Sequence, residues 1–339
     1  MPEKELPLVL RFLIRLFQNI IYWIIQIPLI PFVVLAFIVP TYKVFVLSRK
    51  LGVDWTAEKS LQCRWYMHMF KTRKDKASVQ LYKALPVAYH MSLLTFAGAA
   101  LIANRICGYH YSLAKIPEPA EASFMLMGNC RAISHDRNME RNIDQVEQVV
   151  IMGAGYDLRV LKYAGGKNIK VFELDKPAIQ NMKIAALKKA KIDHDLITYV
   201  PIDFNNESWS DKLLEYGFDT KKKTFFLWEG VTPLISEEIV RHTLHTITSI
   251  SPKGSVISLD YFSKSIVTGE GNWVMKQFIK LLRKTGEELL FGIDTSGDAC
   301  EETEKLLKEC GFTLKNLTLF GKKTKKDNPF LGVVEAVIE

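Results

Sequence analysis

From residue 148 to residue 338 the chain passes through seven short, apolar, β-rich segments, most of them separated by stretches of helical length. The β-rich segments fall at 148–152, 170–174, 198–201, 224–228, 255–261, 313–320 and 332–338. Helices are expected at 158–164, 178–190, 208–216, 236–250, 274–284 and 301–310. A strand that is apolar on both faces must be covered on both faces, and the intervening helices are the cover. The pattern therefore predicts an α/β fold, a doubly wound and mostly parallel sheet, whose last two strands close as a hairpin through 321–329.

Ligands of such sheets bind beyond the C-terminal ends of the strands, close to the switch in strand order, so the residues just after each strand carry most of the information. The first strand is followed by Gly153-Ala154-Gly155-Tyr156-Asp157. Gly153 and Gly155 permit a tight turn and bring the backbone up to a ligand with no side chain between. Asp175 follows the second strand, 22 residues beyond Gly153, near the spacing of about 20 at which an acidic side chain meets ribose hydroxyls. Asp203 and Phe204 follow the third strand, and Glu229 with Gly230 the fourth. Singly, each has a plain structural reading. Gly-x-Gly is a common turn, Asp175 caps the helix opening at Pro177, Asp203 caps the next helix, and Glu229 caps a buried turn. As a series they converge on one crevice. The glycine loop lacks the full Gly-x-Gly-x-x-Gly pattern, which disfavours a dinucleotide and leaves a smaller nucleoside ligand.

The N-terminal third has a different character. Residues 16–39 form 24 residues without a charge, and a helix needs about 20 apolar residues to cross the hydrocarbon core. A membrane helix is expected there, with Pro28 and Pro31 leaving a re-entrant or in-plane course open. Ten lysines and arginines between Lys43 and Lys83 stand against Asp54, Glu58 and Asp75. That bias puts the following part of the chain in the cytoplasm. A second apolar stretch, 84–103, contains His90 and several small residues, and is expected to pack on the folded domain or lie at the membrane face. His90 then reads as a satisfied interface histidine. The expected divisions are an apolar segment at 1–47, a basic helical region at 48–129, and the α/β domain at 130–339.

The net charge of +8 admits either nucleic acid or an anionic membrane as partner. The lysine runs at 221–223, 322–323 and 325–326 lack interleaved aromatics and read as solvated loop charge, so nucleic acid is disfavoured. The five cysteines are scattered with no metal-ligand spacing, so neither a zinc site nor a disulfide framework is expected.

The strings QVVIMGAGYDLRVLKY (148–163), VFELDKP (171–177), VPIDF (200–204), FLWEGVTPLI (226–235) and GEELLFGIDTSGDACEETEKLLKECGF (286–312) resemble the leucine carboxyl methyltransferase superfamily, including its polyketide-type O-methyltransferases. Arg131 with Asp136 matches an upstream part of the same pattern. The resemblance implies a seven-stranded, Rossmann-like class I methyltransferase sheet and S-adenosyl-L-methionine as cofactor. It implies Arg131 on the cofactor carboxylate, Gly153 beneath the methionine portion, Asp175 on the ribose, Asp203 and Phe204 around the adenine, and Glu229 near the amino group or the substrate side. Without the resemblance, Arg131 reads as an ion-pair partner of Asp136 or Glu140.

The resemblance does not extend to the N-terminal region, so the methyl acceptor does not carry over. The expectation is O-methylation of a carboxylate or hydroxyl on a small or lipophilic acceptor at a membrane. The alternatives are a protein C-terminal carboxyl methyltransferase and a cofactor-binding interaction protein without turnover. A carboxylate needs no general base, whereas a hydroxyl needs one, for which His135, His242, His245 and Tyr156 are candidates by residue type.

Overall fold

The computed structural model describes residues 7–52, 55–202, 207–324 and 327–339. The N-terminal part is helical: α1 (Leu8–Ala36) and α2 (Ile38–Tyr42) pass through a π-helical turn at Lys43–Leu47 into α3 (Ser48–Leu51), followed by α4 (Trp55–Met69), α5 (Lys76–Ala84) and α6 (His90–Cys107). Helix α7 (Met127–Asn142) leads into β1 (Gln148–Met152), α8 (Arg159–Tyr163), β2 (Lys170–Asp175), α9 (Pro177–Ala190), β3 (Ile197–Pro201), α10 (Trp209–Glu215) and β4 (Thr224–Trp228). Then come α11 (Glu237–Ile250), β5 (Val256–Ser263), α12 (Lys264–Val267), α13 (Trp273–Thr285), β6 (Gly292–Ile293), α14 (Ala299–Glu309), β7 (Phe312–Phe320) and β8 (Leu331–Ile338).

The sheet order is β3-β2-β1-β4-β5-β8-β7, with β6 beside β5. Strands β1 to β5 are parallel, and β8 enters antiparallel between β5 and β7. The direction of winding reverses between β1 and β4, which sets the ligand crevice at their C-terminal ends. Strands β1, β4 and β5 are buried along their whole length, as continuous apolar runs in the middle of a covered sheet must be. All seven expected strands are present. The eighth, β6, has two residues and is too short to leave a periodic signal.

The apolar stretch 84–103 is not one helix. Leu85, preceding Pro86, is extended, and α6 begins only at His90, because proline disfavours helical geometry in the residue before it. Leu93, Ala97, Ala100 and Leu101 of α6 pack into a cluster with Leu61 and Trp65 of α4, Tyr82 of α5 and Leu187 of α9. His90 Nδ1 accepts a hydrogen bond from Trp65 Nε1 at 3.2 Å, an interface role.

Helix α1 lies along the outer side of α6. Gln18 Nε2 donates to the carbonyls of Cys107 and Gly108 at 3.0 and 3.2 Å, and Tyr22 stacks on Tyr109 with ring centroids 4.7 Å apart. At the other end, Ser92 Oγ donates to the Ala36 carbonyl at 2.9 Å, and Phe37 meets Phe96 edge-on at 4.3 Å. Much of the rest of α1 is an exposed apolar face, with Leu13, Phe17, Ile20, Trp23, Ile24 and Ile27 in the open. Leu8–Tyr42 and α6 are both long and apolar enough to cross a membrane by length and composition.

One buried pair gives the fold a pH dependence. Glu173 on β2 accepts from Lys183 Nζ at 2.6 Å, and the same ammonium donates to the Asp157 carbonyl at 2.6 Å. Burial drives the Glu173 carboxyl up to about 7, against the pull of Lys183. A carboxyl raised above its unfolded value contributes stability that is full below the ordinary glutamate range and lost as pH rises through about 7. Urea midpoints should therefore contain a component that falls between pH 5 and pH 8 in the wild type and is absent in Glu173→Gln. Equal slopes in the two proteins would remove Glu173 as its source.

Candidate cofactor and active site

A cavity of about 860 Å³ opens at the switch point, lined by Gly153, Gly155, Tyr156 and Asp157 after β1, Asp175 at the end of β2, Glu229 and Gly230 after β4, and Arg131 from α7. Asp203 and Phe204 lie outside the described residues. Its other walls come from Thr56, Lys59, Ser60 and Arg64 of α4, and from an apolar side that includes Phe124, Met125, Phe278, Leu281 and Leu290.

The glycines have local causes. Gly153 has φ +67°, and a Cβ there would collide with Val231 Cγ2, so only glycine serves in both conformation and space. Gly230 has φ +72°, and a Cβ would come within 2.9 Å of Arg131 Nη1. The bare backbone is what lets that guanidinium lie against the turn after β4.

Asp175 braces the first loop. Its Oδ2 accepts from Gly155 N at 2.5 Å and its Oδ1 from Lys176 N at 2.7 Å. The alternative of a cap for α9 is not what it does, since Lys176 occupies that position without a side-chain bond. Arg131 does not pair with Asp136 or Glu140. Its Nη2 donates to Ser60 Oγ at 3.2 Å, and its Nη1 stands 3.7 Å from Asp260 Oδ2. Asp260, fully buried on β5, also accepts from Gly230 N at 2.7 Å, so one carboxylate positions both the arginine and the turn beneath it.

Through the cavity wall runs an ion network that the sequence reading missed. Arg64 Nη2 reaches Asp157 Oδ2 at 2.7 Å and Glu229 Oε2 at 3.1 Å. Arg159 Nε lies 2.9 Å from Asp157 Oδ2, and its Nη2 bonds Glu229 Oε2. Asp136 is taken by Arg73, Nε to Oδ2 at 2.6 Å. Burial alone would raise the Asp157 and Glu229 carboxyls, but Arg159 and Arg64 more than offset it, holding Glu229 at about 2 and Asp157 far below the usual carboxylate range. Glu229 is therefore held by two guanidiniums, rather than capping a turn. Asp157 and Arg159 stood inside the motif QVVIMGAGYDLRVLKY. Arg64 gave no signal beyond its place in a basic stretch.

Among the candidate bases, His135 is sealed under the site, with Nδ1 2.7 Å from Ser258 Oγ and Nε2 3.3 Å from Asp260 Oδ1. His242 and His245 face solvent on α11. Tyr156 reaches the cavity, but its hydroxyl donates to Met182 Sδ at 3.2 Å. Among the described residues, no histidine lines the cavity.

An open, doubly wound sheet with a glycine turn and acidic strand ends around its switch point is the architecture of a nucleoside-binding α/β domain. Residues 110–248 match the family model of leucine carboxyl methyltransferases. The Bacillus subtilis (strain 168) protein named "Putative S-adenosyl-L-methionine-dependent methyltransferase YktD" is 31% identical over 171 residues, covering 50% of this chain and 54% of that protein. A relative from Mycobacterium sp. (strain MCS), named in the same terms, is 28% identical over 155 residues, covering 45% of this chain and 62% of the relative. The chain thus spans between 54% and 62% of these relatives' lengths. An O-methyltransferase family protein from Burkholderia thailandensis superposes with TM-score 0.43 at 7% identity over 63% of this chain and 57% of that one, a likeness too loose to carry a functional argument.

Proposed function

We propose that the chain is an S-adenosyl-L-methionine-dependent O-methyltransferase, attached to a membrane through α1 and acting on a lipophilic acceptor that carries a carboxylate. The observation that carries the first part is the meeting of Arg131, Gly153, Gly155 and Asp175 around one cavity at the switch point of the sheet. The groups suit that ligand. A guanidinium facing the cavity matches an amino-acid carboxylate, a glycine loop admits its backbone, and a strand-end carboxylate matches ribose hydroxyls. Asp203 and Phe204 are proposed at the adenine from the sequence pattern alone, with Glu229 on the amino-group side.

When bound, the donor supplies an electrophilic methyl group on a sulfonium. The residues of this chain then have to hold it, align an acceptor oxygen in line with the breaking carbon–sulfur bond, and keep water out. A carboxylate oxygen takes the methyl carbon without any proton transfer. A carboxylate acceptor therefore asks no proton transfer of the cavity's own groups, of which Asp157 and Glu229 are already engaged by Arg64 and Arg159.

Membrane attachment is supported by the exposed apolar surface of α1. Because α1 is tied to α6 from Gln18 to Phe37 and α6 packs on the domain, a helix lying along the bilayer surface suits the contacts better than one crossing it.

Calorimetry with S-adenosyl-L-methionine and, separately, NAD tests the reading. Saturable binding of the former alone is expected, with Asp175→Ala weakening it about 10- to 100-fold, as charged hydrogen bonds of about 1.5–3 kcal/mol imply. Asp260→Asn, which touches no ligand in this scheme, should weaken binding by less than that through a loosened Arg131. No binding, or a preference for NAD, would end the proposal.

A further inference from the structure

A second cavity, of about 240 Å³, lies where the outer helices meet the domain. Phe37 and Pro40 from the α1–α2 end, Val87 and Tyr89 before α6, and Leu93 and Phe96 within it form its apolar walls. Lys59, Gln62 and Tyr66 line both this cavity and the larger one. Their spacing puts them on one face of α4, so a single row of side chains divides the two spaces. Two of the three are long and unbranched, and they hold each other, with Lys59 Nζ donating to Gln62 Oε1 at 2.8 Å. Two of the three side chains at this boundary are thus flexible. On the side of the second cavity stands Glu58, 7% exposed. Tyr82 donates to its Oε1 at 2.5 Å, and its Oε2 forms an ion pair with the Lys59 ammonium at 3.3 Å.

The two spaces differ in chemistry. The larger holds the cationic and anionic groups of the site; the smaller is walled mostly by aromatic and aliphatic side chains, with Glu58 and Ser92 at its edge, and adjoins the end of α1, where the exposed apolar surface of that helix meets the domain. An ammonium sits at the junction. We propose that the acceptor is a medium-chain carboxylic acid drawn from the lipid phase, short enough for its hydrocarbon chain to fit the second cavity, with its carboxylate on the chamber side of Lys59. The inference rests on the methyltransferase reading above for its chemistry, but the seat of the chain stands on the two cavities. Burial of the chain supplies affinity in proportion to the apolar area covered, and the ammonium selects a carboxylate head. Displacement of the Lys59–Gln62 hydrogen bond opens the passage.

The test uses the full-length protein on phosphatidylcholine vesicles containing an octanoic acid with a diazirine near its methyl end. After photolysis, the labelled positions are mapped by peptide mass. Val87 and Leu93 are buried, at 5% and 2% exposure, so the lipid surface cannot label them directly. The expected result is label at these two positions, reduced at least tenfold in Leu93→Trp, which fills the cavity. Label confined to the outward face of α1, with Val87 and Leu93 untouched, would overturn the proposal. The wild-type pattern decides by itself if Leu93→Trp does not fold. Calorimetry with S-adenosyl-L-methionine on the same preparations separates the two readings: absence of donor binding sinks the methyltransferase, whereas unlabelled Val87 and Leu93 in a donor-binding protein sink only the seat of the chain.

Discussion

Arg159→Ala is expected to destabilise the fold by about 3–5 kcal/mol, the usual cost of removing one partner from a buried ion pair. Arg159 is 2% exposed and stands among Asp157, Glu229 and, at 3.7 Å, Asp136. Without it, two buried carboxylates share the single guanidinium of Arg64, and part of their desolvation goes uncompensated. The same loss changes the acid response. In the wild type Glu229 is held at about 2; a carboxyl depressed in this way contributes stability that is full above its unfolded value and lost as pH falls through about 2. In Arg159→Ala the Glu229 carboxyl moves back toward its unfolded value, so this contribution is smaller and the gap to the wild type should narrow as pH falls from 7 to 4. Denaturant unfolding at pH 7 and pH 4 measures both effects, and Arg241→Ala is the control. Arg241 pairs with Glu237 and Glu309, and all three side chains are at least 36% exposed, so its removal should cost no more than about 1 kcal/mol. A stability for Arg159→Ala within that range would mean that solvent relaxes the network.

What was legible in the sequence was whatever repeats or punctuates. Strands β1 and β4 fall at the expected residues because apolar runs flanked by glycine and charge leave little freedom in where a buried strand begins and ends. Helix α9 starts at Pro177, as a proline at the first helical position should. The glycine turn and the strand-end acids were visible because backbone geometry demands them: Gly153 and Gly230 have positive φ and no room for a Cβ. What was not legible depends on contacts between distant segments. Arg64 lies 93 residues from Asp157, and nothing in a basic stretch tells a buried network arginine from a solvated one. Asp260 sits in the middle of β5 with no motif around it, and only the fold brings it under Arg131. The same holds for α4, whose part in the cavity wall is set by how it docks over the glycine loop, where Ala57 Cβ comes to 3.3 Å of the Cβ position at Gly155. Local pattern fixes the turns that a ligand needs, and tertiary packing fixes which charges stand behind them.

Placing glutamate at Leu13, Phe17, Ile20 and Ile24 together should release the protein from neutral phosphatidylcholine vesicles, lowering binding at least 100-fold. These four side chains lie on one face of α1 and are 53%, 56%, 49% and 62% exposed. A carboxylate at the centre of a membrane helix costs about 2.5–3.5 kcal/mol on insertion scales, and less at interfacial depth. Four at even a fraction of that cost exceed the roughly 2.8 kcal/mol that a hundredfold change requires. The helix stays in place because its hold on α6 comes from the opposite stripe, where Gln18, Tyr22 and Ala36 make the contacts. Thermal melting and donor binding should therefore remain those of the wild type while co-sedimentation with vesicles is lost. That separation is the informative part. A variant that falls off the vesicles with its site intact means that lipid covers α1 and that anchoring and donor binding are independent. One that stays bound means that another surface holds the membrane, and the exposed face of α1 would then need a protein to cover it.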